Sequence, residues 1–467
     1  MPPNSDLFVT KDRERPRSGT TGSGPWGAAP EWTRALTLVS LAFLVWRMDF
    51  NFFWRDDWNF LEDMRHVSWA YFIQDHFGHV KPLFKLTYYI QLRLFGTNAI
   101  FFSYMNILFL GLCNYLVYRI MRTIATDHSA WLTAVLLTIH PVMFQHVGWS
   151  FEQCISLHLL FQVLAVYHFL LWHRDGKDLR LIAVALLTVV QNYFFGNGLF
   201  IPLLFGAGVL LFADHGRKIK VAIAFLLLFA FFMVVQITFG GDRGSVDLTF
   251  SALPGMISGG IHLLGVNSAR LFFIHERLAG SATPWIATLL FTALVVLALM
   301  RQDRDRRLAW FHMLWFLLAF CSVPIVRRDE LAHMAIPHYY TVLAAVPFAF
   351  LVEHAVGGSP RWKLIPARIW KPLAVLGTIG ILLLDQELKG IMSFRHFRNE
   401  QMMMKSLQDG SPYHGFDDPY FSTSKIYVVD PVGIYAHWRP KDLFRSPIGY
   451  TSAPMNWTSK SAVRQDP

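Results

Sequence analysis

Two adjacent acids, Asp56 and Asp57 in "WRDDWNFLE" (54–62), follow directly on an apolar run, and His79, Lys81 and Lys85 come soon after them. A carboxylate that takes the proton of an attacking hydroxyl, with a Lys, His or Arg that neutralises a departing phosphate, is the equipment of a transfer reaction on a lipid phosphate. Neighbouring acids on a helix point about 100° apart, so only one need face a substrate. The other can hold Arg55, cap a helix or bind a cation. The plain alternative is a solvated helix end, since polar residues must follow any membrane span.

The elements around the acids would have to position them. From Trp58 to His79 the chain is polar, aromatic and too broken to span a bilayer, whereas "KPLFKLTYYIQLRLF" (81–95) is apolar yet carries Lys81, Lys85 and Arg93. Such a segment suits an interfacial helix: Pro82 fits its first turn, and Lys81 and Lys85, four apart, share one face. Asp56 and Asp57 would then sit at the depth of the lipid headgroups, ionised without the cost of burial in hydrocarbon.

A second wall is expected from "IHPVMFQHVGWSFEQ" (139–153), with His140, His146, Trp149 and Glu152. Trp149, like Trp58 beside the acids, offers a ring on which a sugar can stack. Packing histidines are the alternative here. Arg327 and Arg328 are candidate phosphate contacts, against a plain ion network with Asp329 and Glu330. His76 and His79 with Asp75 would make a partial metal site if helical, but spacing fixes no further ligands, so no metal site is expected. A divalent cation at the acids stays open.

The chain has 467 residues, of which 54% are hydrophobic and 16% charged, with a mean hydropathy of +0.35. Soluble domains carry about 25% charged residues. Apolar blocks of spanning length occur near 34–54, 101–121, 131–147, 153–172, 180–195, 198–213, 219–239, 284–300, 308–326, 339–356 and 372–385. The expected fold class is therefore an all-α polytopic membrane protein of about 11 transmembrane helices. Its domains would be a disordered basic cytoplasmic tail (1–33), a transmembrane domain (34–385) with external loops 55–100 and 240–283, and an extracytoplasmic C-terminal region (386–467).

The first span ends in "RMDFNFFWRDD" without a small-residue cleavage pattern and is expected to stay attached as an anchor. Arg47 and Asp49 within it are expected to pair. The basic clusters between spans, among them "HRDGKDLR" (173–180), "HGRKIK" (215–220) and "RQDRDRR" (301–307), fall on one side, which the positive-inside rule makes cytoplasmic. Calling 256–275 a span would move "RQDRDRR" outward, so that segment is read as an interfacial or re-entrant piece of the external loop. "KIYVVD" (425–430) reads as a short strand in a small α/β appendage. The net charge of +10 is spread over short groups between spans and forms no aromatic-basic face, which argues against nucleic acid. Cys113, Cys154 and Cys321 lack disulfide or zinc spacing and read as packing residues.

The acid pair after the first span, "HVKPL" (79–83), "RLFG" (93–96), "YMN" (104–106) and "IHPVMFQHVGW" (139–149) together resemble the C-superfamily (GT-C) membrane glycosyltransferases, above all the mannosyltransferases that use dolichyl- or polyprenyl-phosphate sugars. The likeness is best over about residues 50–150, with an echo at "IPHYYTVLAA" (336–345), where relatives often show an Arg-Tyr pair. It implies inverting transfer on the external face, with a loop-one aspartate as base and Asp56 ranked before Asp57. It also implies that His79 and Lys81 of the "HVKP" element, and His338 with Tyr339 of the echo, meet the donor phosphate. Two departures matter. Lys81 stands where relatives have Arg and gives a point charge in place of a bidentate fork, and His338 stands where the late motif has Arg.

The expected function is transfer of a sugar from a polyprenyl-phosphate donor to a glycan, lipid or protein acceptor, among membrane lipids, in a bacterial inner membrane with the N-terminus cytoplasmic. A transporter or flippase, or a non-catalytic assembly subunit, are the rival readings. No loop on the cytoplasmic side is long enough for a nucleotide-sugar domain.

Overall fold

The computed structural model describes residues 31–46, 56–76, 79–140, 142–143, 147, 149–213, 215–239, 253–272, 282–301, 305–319, 338–356, 413–414, 428–429 and 437–438. The basic tail, the Arg47–Asp49 pair, Cys321, the segment 372–385 and the Arg327–Glu330 cluster lie outside these residues.

The architecture is all-α. Its helices are α1 (Glu31–Trp46), α2 (Asp56–Asp63), α3 (Trp69–Ile73), α4 (Pro82–Phe95), α5 (Ala99–Met121), α6 (Asp127–Thr138), α7 (Gln153–Asp175), α8 (Asp178–Phe194), α9 (Ile201–Phe212), α10 (His215–Phe239), α11 (Leu253–Leu271), α12 (Thr283–Met300), α13 (Arg306–Leu318) and α14 (His338–Val356). Each apolar block that contains described residues overlaps one of them. Four helices among the described residues are long and apolar enough to cross a membrane: Ala99–Met121, Ser150–Asp175, Lys218–Phe239 and Thr283–Met300. Trp32–Trp46, Gly198–Phe212 and Thr341–Ala355 are apolar but shorter.

The apolar stripe of α1, Leu38, Ala42 and Trp46, recurs every fourth residue and is buried against α5. Gly111 of α5 permits that approach, because a Cβ there would sit 2.7 Å from the Val39 Cα. At one end of the bundle Trp46 Nε1 donates to the Thr138 carbonyl at 2.6 Å. At the other, Arg34 and Arg122 both meet Asp127, at 2.7 and 3.0 Å. The first of these ends carries residues 56–95 and is called the loop end below.

Helices α7 and α8 form a tight antiparallel hairpin, closed at Gly176, whose φ of 65° is the left-handed conformation that ends a helix. Phe169 of α7 stacks on Phe311 of α13 at 5.2 Å, over Gly208 of α9. Leu226, Leu227, Phe231, Val234 and Ile237 on α10, with Trp285, Leu289 and Leu297 on α12, face outward. These apolar outer faces suit lipid better than water.

Helix α11 covers most of the segment read as an interfacial or re-entrant piece. Its C-terminal end meets α14: Thr341 Oγ1 donates to Asn267 Oδ1 at 2.7 Å, and Phe272 meets Phe348 at 5.0 Å. Gly265 abuts Pro284 near the start of α12, and Arg301 just past the end of α12 reaches the Ala355 carbonyl at 3.1 Å. The C-terminal half of α11 is buried, whereas Pro254, Ile257 and Ile261 are exposed.

The expected strand in 425–430 is present as Val428–Val429, paired antiparallel with Tyr413–His414.

Candidate functional site

Loop one folds as a series of short elements, as its broken pattern predicts. Helix α2 passes through a 3-10 turn (Met64–His66) to α3, whose N-cap Ser68 accepts from the Tyr71 amide. A hairpin follows, pairing Asp75 with Val80 and His76 with His79. His76 and His79 are thus cross-strand partners in a hairpin and do not lie three apart on a helix. Among the described residues no group of three or more His, Cys, Asp or Glu could hold a metal ion. Pro82 then opens α4, as expected of a residue whose missing N–H costs nothing there.

Helix α2 buries Asp57, Phe60, Leu61 and Met64, an i, i+3, i+4, i+7 stripe that places one acid inward with the apolar residues. The Asp57 side chain is 0% exposed, so it is enclosed by protein and is not the solvated helix end of the plain alternative. Its position on the stripe is the physical reason: the helix cannot bury Phe60 and Leu61 without turning Asp57 in. Tyr88 of α4 meets it, the phenol donating to Asp57 Oδ1 at 2.9 Å. Burial first, then the negative charge of Asp57 and this hydrogen bond, hold the Tyr88 hydroxyl well above its ordinary pKa, so it remains a donor. Phe60 packs edge-on to Phe84 and Phe151, both at 5.4 Å, and close to Tyr88 at 5.5 Å.

Lys81 is the N-cap of α4 and is 2% exposed. Its ammonium lies 4.7 Å from the Phe151 ring centre and 5.2 Å from that of Phe195. His79 also packs on Phe195, at 5.8 Å. A Cβ at Gly196 would collide with the His79 ring, so this glycine is what lets the hairpin sit down on the end of α8.

Lys85 points another way. Its ammonium donates to the carbonyls of Tyr71 and Gln74, at 2.7 and 2.8 Å, and lies 4.2 Å over the Tyr71 ring. It thereby binds the negative end of α3 to α4. Lys81 and Lys85 leave α4 on neighbouring faces, one towards Phe151 and Phe195 and one towards α3.

The second wall forms behind these groups. Trp149 is buried with its ring against Phe151 at 5.6 Å, and its carbonyl accepts from Asn106 at 3.0 Å. Glu152 is buried in a 3-10 turn (Ser150–Glu152) at the head of α7. Gln91 of α4 and Gln153 of α7 exchange two amide hydrogen bonds, at 2.5 and 3.1 Å, and Ser156 donates to Asn106 at 3.2 Å. Loop one is therefore joined to the α5 and α7 ends by paired amides, which are well suited to low-dielectric surroundings.

A clamp arrives from far along the chain. Trp438 is buried, its indole N–H donates to the Leu61 carbonyl at 2.9 Å, its own carbonyl accepts from Thr97 N at 2.9 Å, and its ring meets Tyr89 edge-on at 6.1 Å. Val428–Val429 also touches α2.

The structure thus brings Asp57, His79, Lys81, Lys85, Trp149 and Glu152 to one end of the bundle. Asp56 and Trp58 lie on α2, and His338 and Tyr339 open α14, but their side chains are outside the described structure. His146, Arg327 and Arg328 are outside it altogether. Tyr88, Phe151 and Phe195 were not among the expected site residues; the α4 stripe Lys81, Phe84, Lys85, Tyr88, Leu92 would have pointed to Tyr88. For Trp438 no local signal existed. Compared with known proteins, the sequence matches no protein-family model and has no significant match among curated proteins.

Proposed function

We propose that this chain is an inverting membrane glycosyltransferase that moves a sugar from a polyprenyl-phosphate donor to a hydroxyl acceptor on the extracytoplasmic face. One observation carries the reading: a carboxylate, Asp57, and an ammonium, Lys81, are enclosed around one aromatic cluster, Phe60, Phe84 and Phe151, at the loop end. Charges in such surroundings act more strongly than in water. The resemblance to the C superfamily, on the residues given above, supports the same assignment.

In the proposed step an acceptor oxygen bonds to the anomeric carbon as the bond from that carbon to the phosphate oxygen breaks. The acceptor proton passes to Asp56 or Asp57, and the lipid phosphate departs with its electron pair against Lys81 and His79. Arg327, Arg328, His338 and Tyr339 are the further phosphate contacts in this reading, and Trp58, His146, Trp149 and Glu152 line the sugar and acceptor side.

The topology is consistent with it. Trp438 and Leu61 touch, so loop one and the C-terminal region share a side, which requires an even number of crossings between them. The helices from α5 to α14, leaving out α11, together with 372–385 give an even number. The ion pairs of Arg34, Arg122, Arg180 and Arg307 sit away from the loop end, which supports a cytoplasmic side there and a multi-pass inner-membrane protein of about 11 spans.

The rival reading, a transporter, is favoured by the buried pair His312 and His354 on α13 and α14. Purified protein in lipid nanodiscs, given a labelled polyprenyl-phosphate sugar and acceptor extract, separates the two. Labelled product that is lost in Asp56→Asn or in Asp57→Asn supports the transferase, and undiminished transfer in both variants ends it.

A further inference from the structure

A second polar cluster lies below the Lys81 and Phe195 contact, inside the α7–α8 hairpin. His158, Gln162 and Gln191 are 1%, 1% and 0% exposed. His158 Nδ1 is 3.2 Å from the Gln191 carbonyl, and because a carbonyl can only accept, Nδ1 carries the hydrogen and Nε2 presents a lone pair. Gln162 is one turn further along α7 on the same face as His158. Long side chains lean towards the N-terminus of their own helix, so from antiparallel helices Gln162 and Gln191 lean towards a common level.

Among the described residues neither amide has a hydrogen-bond partner. The nitrogen and the oxygen of Gln162, and both of Gln191, are buried without a hydrogen-bond partner. Each such group costs about 1–3 kcal/mol in a protein interior. Chains relieve that cost with an apolar residue unless the polar group has work to do. The Gly196–Phe200 turn closes over this place: Gly198 lies so near the His158 ring that a Cβ would stand 3.1 Å from Cε1. The Phe195 ring, which Lys81 faces at 5.2 Å, is 6.0 Å from the His158 ring.

We infer that His158, Gln162 and Gln191 form a subsite for a neutral polyhydroxylated group, under the transferase reading the sugar of the lipid-linked donor whose phosphate Lys81 holds. Two amides, each a donor and an acceptor, together with an imidazole lone pair, match neighbouring hydroxyls that both donate and accept. The absence of a carboxylate or a cation among the three selects a neutral group over an ion. The assignment to the donor rests on the transferase reading; the affinity for hydroxyls does not.

The test is thermal unfolding in nanodiscs with polyprenyl-phosphate mannose, polyprenyl-phosphate glucose and the same polyprenyl phosphate without sugar. The expected result is a higher midpoint with a sugar-bearing lipid than with the bare one. In Gln162→Leu and Gln191→Leu that sugar-dependent difference disappears, while the shift from bare lipid phosphate remains. Without lipid both variants should be at least as stable as the wild type, since an unmatched amide has been removed. Equal midpoints with all three lipids, or an undiminished difference in both variants, would overturn the subsite. Should the Leu variants fail to fold, Gln162→Met and Gln191→Met keep the side-chain length; failure of these too would mean that the amides serve the fold, and would equally overturn it. Asp57→Asn should keep the sugar-dependent shift and lose transfer. If the wild type transfers nothing yet shows the shift and loses it in the Gln variants, the subsite stands and the transferase reading falls.

Discussion

Tyr88 and Asp57 decide how the end of α2 behaves. With the phenol removed in Tyr88→Phe, a buried carboxylate loses a charge-assisted partner, a change of about 1.5–3 kcal/mol. We expect a lower unfolding midpoint in Tyr88→Phe, and a smaller loss in the double variant with Asp57→Asn, because a neutral amide is cheaper to leave half-satisfied. Additive losses would show that the two side chains do not act together. Gly196→Ala is the second residue-scale prediction: the new methyl group meets the His79 ring, which must leave its place on Phe195. The expected outcome is a several-fold loss of transfer with a small loss of stability, read by transfer rate beside the unfolding midpoint. The types of the key residues were legible in the sequence, since acids, histidine and lysines stand out in an apolar chain. Their orientation was not. Whether Asp57 turns inward depends on which stripe of α2 finds apolar neighbours, and Phe84 and Phe151 lie beyond any local window.

Loop one is an assembly of short elements, none of which is stable alone, since helices of a few turns are marginal without packing. Trp438 holds them. Trp438→Ala removes a buried indole and the two contacts it makes across α2 and α4, a change of about 3–5 kcal/mol at the level of core aromatics. Limited proteolysis from the loop end should then cut within 56–95 well before the spans, whereas Trp438→Phe should give intermediate protection. Equal cutting in all three proteins would remove the clamp. His437, 4.7 Å from the Trp438 ring, adds a pH dependence. Partial burial, then Arg65, His66 and Arg93, hold its pKa below the ordinary value. A base whose folded-state pKa is depressed contributes stability that is present above its unfolded pKa and lost as pH falls below it. Protection of loop one should therefore weaken as pH falls through about 6.5, and His437→Gln should remove the dependence. At this scale apolar block length was enough to find the helices, because a run of Leu, Phe and Val in one chain must satisfy its backbone within itself. It was not enough to place α11, whose neighbours Thr341, Pro284 and Phe348 lie far away in the sequence.

The molecule as a whole shows opposite surfaces to opposite needs. The outward faces of α10 and α12 are apolar, and an Arg at Leu227 or Leu289 should cost about 2.5–3.5 kcal/mol of insertion if these helices span hydrocarbon. The measurement is the fraction of glycosylated or protease-protected product in an insertion assay; unchanged insertion for both would argue that these faces are covered by protein. The Arg34, Arg122 and Asp127 cluster, by contrast, is exposed to screening and should tolerate single substitutions with little change in midpoint. Composition and charge bias made this division legible from the start.

The bond between Trp438 and Leu61 joins residues 377 positions apart. During synthesis loop one therefore emerges and waits, while nearly every helix of the bundle is still to be made, before its fastening partner exists. A chain interrupted anywhere in that interval lacks the indole that holds Leu61, so loop one is fastened last.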